Sequence, residues 1–271
     1  LTIRSGQYIE GIKLFVLDLD GTFYLGERIL PGSLRFLERV RETSRRFVFF
    51  TNNSSRTPGM YIEKLGRMGV GIGREDIVTS GDVCIDYLNI NYAGASVYVM
   101  GTEALRGAFA DAGVRVMGAA SSADGATPDV VVCAFDTELT YEKLERACTY
   151  IRKGAVFLAT HEDINCPTED GFIPDCGAMC AAIELSTGRK PKYLGKPHAE
   201  TVEKIESLTG VGREGIAFIG DRLYTDVAAG VNNGATGILV LSGETKAEDV
   251  AASHIKPHAV FTGLGEIADF L

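Results

Sequence analysis

The stretch Lys13-Leu14-Phe15-Val16-Leu17-Asp18-Leu19-Asp20-Gly21-Thr22 decides how the fold is read. Leu14 to Leu17 is an unbroken apolar run, the pattern of a strand covered on both faces, and it ends abruptly in two carboxylates. Side chains alternate along a strand, so Asp18 and Asp20 leave it on the same side. Gly21 lets the backbone turn sharply behind them. Two like charges at one strand end repel, and a fold keeps them only with a cation between or beside them. Magnesium is the usual partner, because it prefers hard oxygen ligands and accepts one or two carboxylates together with phosphate oxygens.

The same buried-strand pattern recurs at Phe47-Val48-Phe49-Phe50, at Ile216-Ala217-Phe218-Ile219-Gly220 and from Thr236 to Leu241. Helical patterns at 33–46, 58–68, 200–209 and 227–233 alternate with these strands. Strand, helix and like strand make a parallel unit, whose ligands collect at the carboxyl ends of the strands. Ile77 to Asp82 reads as a short strand and turn, and His258 to Phe261 as an edge strand. From about Ser80 the texture changes. Strands at 97–100, 130–133 and 155–159 alternate with helices at 102–111, 141–153 and 175–188, with a loose loop at 118–128. The expectation is an α/β protein with a parallel-sheet, Rossmann-like core at 1–79 and 190–271, interrupted by a smaller inserted α/β domain at 80–189.

A chain of 271 residues, 45% hydrophobic, is long enough for such a pair of domains with real cores. Its net charge of −9 and the lack of a long Lys/Arg run argue against a nucleic-acid surface. No apolar run approaches the ~18 residues of a membrane span, and residues 1–10 lack a signal-peptide pattern, so no membrane partner and a cytoplasmic location are expected. Six cysteines are scattered along the chain, which suits reduced, mostly buried thiols. Cys176 and Cys180, four apart, would share a helix face. A zinc site there needs His or Cys partners at tight spacing, and none is visible, so the pair reads as packing.

Polar groups sit at four strand ends: Asp18/Asp20, Thr51/Asn52, Lys196 and Asp221/Asp226. Singly, each has an ordinary explanation as a turn, a helix cap or a solvated surface charge. Together, on one rim of a parallel sheet, they make a site for a phosphoryl group, with carboxylates for a metal, an ammonium for equatorial oxygens and a hydroxyl with backbone amides for the rest. Asp18-Leu-Asp20-Gly-Thr22, Thr51-Asn52-Asn53, Gly195-Lys196-Pro197 and Gly220-Asp221-Arg-Leu-Tyr-Thr-Asp226 resemble, in order, the four motifs of haloacid dehalogenase-like hydrolases. The large insertion between the second and third motifs resembles the capped NagD-like, or p-nitrophenyl phosphatase, branch.

The resemblance implies a Mg2+-dependent phosphatase. Asp18 would be the nucleophile that carries the phosphoryl group, and Asp20 the general acid and base. The Asp18 carboxylate, the Asp20 main-chain carbonyl and Asp221 would hold the metal, with Asp226 in support. Thr51, Lys196 and the Asn52 backbone would bind the phosphoryl group. Family members often carry Asn-x-Asp on the cap, followed by a Pro and an acidic-Gly turn. Here the equivalent is His161-Glu162-Asp163 and then Cys166-Pro167-Thr168-Glu169-Asp170-Gly171, with His161 in place of the Asn. His161 and Asp163 are therefore candidate substrate contacts, and a structural role for His161 stays open. The partner would be a small phosphate ester, and caps of this size raise a homodimer through the cap.

Gly210-Val-Gly212-Arg-Glu-Gly215 matches a dinucleotide fingerprint by letter, but a helix precedes it and a strand follows, the reverse of what that fingerprint needs. Gly69-Val-Gly71-Ile-Gly73 reads as the same kind of turn. Two other functions share the motifs: a phosphotransferase or phosphomutase passing the group to another sugar, and a non-catalytic phospho-acceptor module. Asp20 speaks against the second, since a module that keeps its phosphate has no use for a general base.

Overall fold

The structure, a computed structural model, describes residues 6–118, 126–168 and 171–271. The chain divides into two compact units, one of Leu1–Thr51, Ile62–Val78 and Lys196–Leu271, the other of Asn52–Tyr61 and Thr79–Gly195. The first is built on a six-stranded sheet in the order Ala259–Phe261, Thr236–Val240, Ile216–Gly220, Leu14–Leu17, Arg46–Thr51 and Ile77–Thr79. Leu14–Leu17 is buried at every residue and runs parallel to both neighbours, with Leu17 beside Ile219 on one side and Phe49 on the other. From Leu14–Leu17 the chain steps outward one way to Ile77–Thr79, and from Ile216–Gly220 it steps the other way to the edge strand Ala259–Phe261. The order therefore reverses between Leu14–Leu17 and Ile216–Gly220, and at such a switch point a crevice opens at the carboxyl ends of the strands. Asp18 and Asp221 follow directly on those two strands.

The second unit holds a five-stranded parallel sheet, in the order Lys192–Tyr193, Val156–Ala159, Val130–Cys133, Ser96–Met100 and Arg115–Val116. The helices Tyr141–Arg152 and Cys176–Thr187 pack on it through Cys148, Ile151, Met179 and Ile183. Lys192–Tyr193 pairs with Val156–Ala159, so this unit runs on to Gly195 where the sequence texture suggested an end at 189. An antiparallel hairpin, Asn165–Thr168 with Gly171–Pro174, also belongs to it.

Ser80–Asn91 is a helix, where the sequence reading expected a turn. Six consecutive residues from Ser80 to Ile85 are buried, so the polar stripe that marks an amphipathic helix is missing. Its signature lies at the start instead: the Thr79 hydroxyl accepts from the Asp82 amide, and the Asp82 carboxylate accepts from the Thr79 amide at 2.8 Å. Of the loop expected at 118–128, residues 119–125 lie outside the described residues. Gly210, at φ +68, closes the helix Ala199–Thr209, and a short 3-10 turn, Arg213–Gly215, leads into Ile216–Gly220, so the fingerprint-like glycines make a helix-to-strand turn. Among the described residues no helix is long and apolar enough to cross a membrane.

Candidate active site

At the switch point of the first sheet, the Lys196 ammonium lies 2.7 Å from Asp18 Oδ1 and 2.6 Å from Asp226 Oδ1, and it also donates to the Phe50 carbonyl at 3.3 Å. Lys196 is 3% exposed, so these partners replace its water shell. Carboxylate oxygens of Asp18, Asp221 and Asp226 all lie within 4.8 Å of one another. Four positions separated by as much as 208 residues in sequence thus share one small volume.

Local folding follows from the sequence around each group. The Asp18 amide extends the ladder to the Ile219 carbonyl, and the chain then curls so that the amides of Phe23 and Tyr24 return to the Leu19 carbonyl. Gly21 makes this curl at φ +84, and a Cβ there would meet the Asp221 carboxylate. Side chains at Gly220 and Gly243 would likewise run into Asp226 and Asp221, so glycines line the carboxylates. Asp221 accepts from the Glu244 amide at 2.7 Å and from the Thr22 hydroxyl at 3.4 Å, and Asp226 accepts from the Arg222 amide at 3.1 Å. Asp20 accepts from the Tyr24 hydroxyl at 3.3 Å. Tyr24 is fully buried, with the Lys64 ammonium 3.9 Å from its ring centroid. Tyr24 and the Gly243-Glu244 turn went unnoticed in the sequence. The turn follows an apolar strand, so the strand-end rule that found Asp221 also points to it, whereas nothing local marks Tyr24.

Electrostatically the cluster is short of positive charge. Burial, reinforced by Asp226 and Asp221 and only partly opposed by Lys196, pushes the Asp18 carboxyl well above its usual range. Burial and the neighbouring Asp226 raise Asp221 to about 6. Burial works against the Lys196 ammonium, but the Asp18 and Asp226 carboxylates outweigh it and hold the amine above its ordinary value. Three carboxylates against one ammonium fit a divalent cation, and an all-oxygen donor set lined by glycines suits magnesium.

Comparison with known proteins follows the same motifs. A haloacid dehalogenase-like hydrolase model matches residues 15–115, and an HAD-hydrolase-like model matches residues 193–267. The acid sugar phosphatase of Staphylococcus aureus is 34% identical over 254 residues, covering 94% of this chain and 96% of that protein. The chain belongs to the haloacid dehalogenase-like hydrolase family. Among solved structures, the 4-nitrophenylphosphatase of Thermotoga maritima superposes on this hydrolase with a TM-score of 0.91 at 46% identity, over 97% of this chain and 98% of that one. NagD from E. coli K-12 gives a TM-score of 0.85 at 29% identity, over 94% and 98%. The hydrolase thus falls in the NagD-like branch and is a phosphatase.

The remaining residues singled out in the sequence have other surroundings. Thr51 ends the strand Arg46–Thr51 and is buried. Asn52 begins the second unit, where its side chain donates to both oxygens of Asp163 at 3.2 and 3.3 Å. His161 is fully buried and Asp163 is 7% exposed. His161 Nδ1 lies 3.6 Å from Asp163 and Nε2 lies 3.4 Å from Asp175, which caps the helix Cys176–Thr187. Burial disfavours the His161 imidazolium, but Asp175 and its neighbours override this and raise the group to about 9. Burial lifts Asp175 to about 6 against the pull of His161. In this hydrolase the two cap candidates are therefore engaged inside the second unit with Asn52 and Asp175. Glu169 and Asp170 of the acidic-Gly turn lie outside the described residues.

Proposed function

We propose that this phosphatase is a Mg2+-dependent phosphomonoesterase acting on small phosphorylated metabolites, sugar phosphates and nucleoside monophosphates among them, through a phosphoryl group carried on Asp18. The observation that carries the reading is the meeting of Lys196 with Asp18 and Asp226, with Asp221 alongside. Asp18 attacks phosphorus in line and forms an acyl phosphate while the ester oxygen leaves. Asp20, held by the Tyr24 hydroxyl, gives its proton to that oxygen and then takes one from the incoming water. Lys196, the Thr51 hydroxyl and the Asn52 backbone neutralise and orient the phosphoryl oxygens. The Asp18 and Asp221 carboxylates and the Asp20 carbonyl, with Asp226 in support, would hold magnesium, which would supply positive charge against those oxygens.

The names of the relatives, an acid sugar phosphatase and a 4-nitrophenylphosphatase, support this substrate class. The inserted unit would govern which ester is accepted. The test is release of p-nitrophenol from p-nitrophenyl phosphate with Mg2+. Asp18→Asn abolishes it, and retained turnover in that variant would refute the mechanism. Phosphotransfer is the rival outcome. In 18O-labelled water, label in the released phosphate identifies water as the acceptor, and unlabelled product on an added sugar identifies transfer. We also propose a cytoplasmic location, in keeping with six scattered cysteines, and a homodimer through the second unit. Exposed Phe172 and Ile164, on and beside the hairpin Asn165–Thr168 with Gly171–Pro174, support that dimer. Cell fractionation and sedimentation test these two points, and a monomer at all concentrations removes the second.

A further inference from the structure

Cys176 and Cys180 gain a partner that their sequence spacing hides. Cys133 ends the strand Val130–Cys133, 43 residues before Cys176, and the three Sγ atoms all lie within 4.8 Å of one another. All three cysteines are fully buried. A metal–sulfur bond of ~2.3 Å puts the sulfurs of a trigonal site roughly 4 Å apart, so little movement would let the three meet one ion. Other polar groups face the sulfurs: the Thr160 hydroxyl donates to Cys176 Sγ at 3.7 Å, and the Tyr193 hydroxyl is hydrogen-bonded to Cys180. Cys176 and Cys180 occupy the first two turns of the helix Cys176–Thr187, whose N-terminal end favours negative charge. Cys148 in the same core belongs to no such group of ligand atoms among the described residues, which is what a cysteine used only for packing looks like.

We propose that Cys133, Cys176 and Cys180 form a three-sulfur site for a soft, closed-shell metal cation, distinct from the carboxylate site of the first unit. Each sulfur exchanges its thiol proton for a bond to the cation, and the protons pass to solvent, so uptake weakens as pH falls. Sulfur donors without a carboxylate among them select Cu+, Zn2+ or Cd2+ over magnesium. The hydroxyls of Thr160 and Tyr193 orient and stabilise the thiolates. The bound ion would join the end of a central strand to the start of a helix and thereby brace the second unit.

The probe is Cd2+, because its bonds to thiolate give a charge-transfer absorption band that oxygen ligands do not produce. The full chain is unfolded and refolded under reducing conditions with Cd2+ and excess Mg2+, since the site is closed in the folded protein. One equivalent of Cd2+ with the thiolate band and a raised Tm is expected. The band is lost in Cys133→Ala and in Cys180→Ser and kept in Cys166→Ala, which removes the half-buried thiol outside the cluster. Circular dichroism identifies any variant that fails to fold, and the conclusion is then drawn from the other one. Absence of the band in the refolded wild type, or its survival in a folded Cys133→Ala or Cys180→Ser protein, overturns the proposal.

Discussion

Tyr24 shows how a residue with no motif of its own reaches the proposed general acid, Asp20. Its hydroxyl donates to Asp20, its ring is buried, and Lys64 lies over that ring. A hydrogen bond to a carboxylate contributes roughly 1.5–3 kcal/mol, so Tyr24→Phe should lower kcat by about 10–100-fold on an alkyl phosphate, which needs a proton on its leaving group. The loss should be smaller on p-nitrophenyl phosphate, whose leaving group departs readily without one, and KM should change little. Equal losses on both esters would mean that Tyr24 serves packing alone. Asp18, Asp20 and Asp221 were legible in the sequence because charges at the ends of apolar strands are anomalous and need a reason. Lys196 was legible only through the Gly195-Lys196-Pro197 motif, since the strand before it, Lys192–Tyr193, is short, polar and part of the second unit's sheet rather than of the first unit's. Tyr24 was not, because an aromatic residue beside a strand is ordinary. Cys133 was hidden for a different cause: the sheet brings it to Cys176 across 43 residues, a distance no local spacing encodes.

Among the elements, the helix Cys176–Thr187 carries its own charge test through His161, which faces Asp163, Asp175 and Cys176. His161 rises from an ordinary 6.5 to about 9, so the folded state binds its proton more tightly than the unfolded chain. That stabilisation is fully present below about pH 6.5 and is lost as pH rises through 9. A shift of this size corresponds to about 3 kcal/mol at order of magnitude. Asp175, raised from 3.8 to about 6, acts in the same direction at lower pH, since stability falls as pH rises between those values. Thermal melts of chelator-treated protein from pH 6 to 9 should fall steeply for the wild type and be flatter for His161→Asn. Parallel curves would show that the imidazolium contributes nothing to folding. The strands were legible as apolar runs, while Ser80–Asn91 was not, because burial of every residue from Ser80 to Ile85 erases helical periodicity in its first half and leaves the Thr79-x-x-Asp82 cap as the cue.

For the molecule as a whole, the alternation of strands and helices was enough to read an α/β core with an insertion. The return point was less legible, because Lys192–Tyr193 is a two-residue strand whose place depends on pairing with Val156–Ala159. With a net charge of −9, attraction for an anionic ester has to be local, at Lys196 and at the proposed Mg2+. Chelation should therefore abolish turnover and added Mg2+ restore it. Binding to the folded state alone at 100 times Kd adds about 2.7 kcal/mol, so Mg2+ should raise the Tm of the wild type and leave that of Asp221→Asn unchanged. An equal shift in both proteins would move the metal away from Asp221. The central claim, that Asp18 carries the phosphoryl group, has a direct measurement. Asp20→Asn lacks the base that activates water, yet p-nitrophenolate leaves without an acid, so the intermediate should accumulate. Acid-quenched Asp20→Asn, digested and examined by mass spectrometry after mixing with p-nitrophenyl phosphate and Mg2+, is predicted to carry one phosphoryl group on Asp18. A burst of p-nitrophenol with Asp18 unmodified, or phosphate on another residue, would contradict the account.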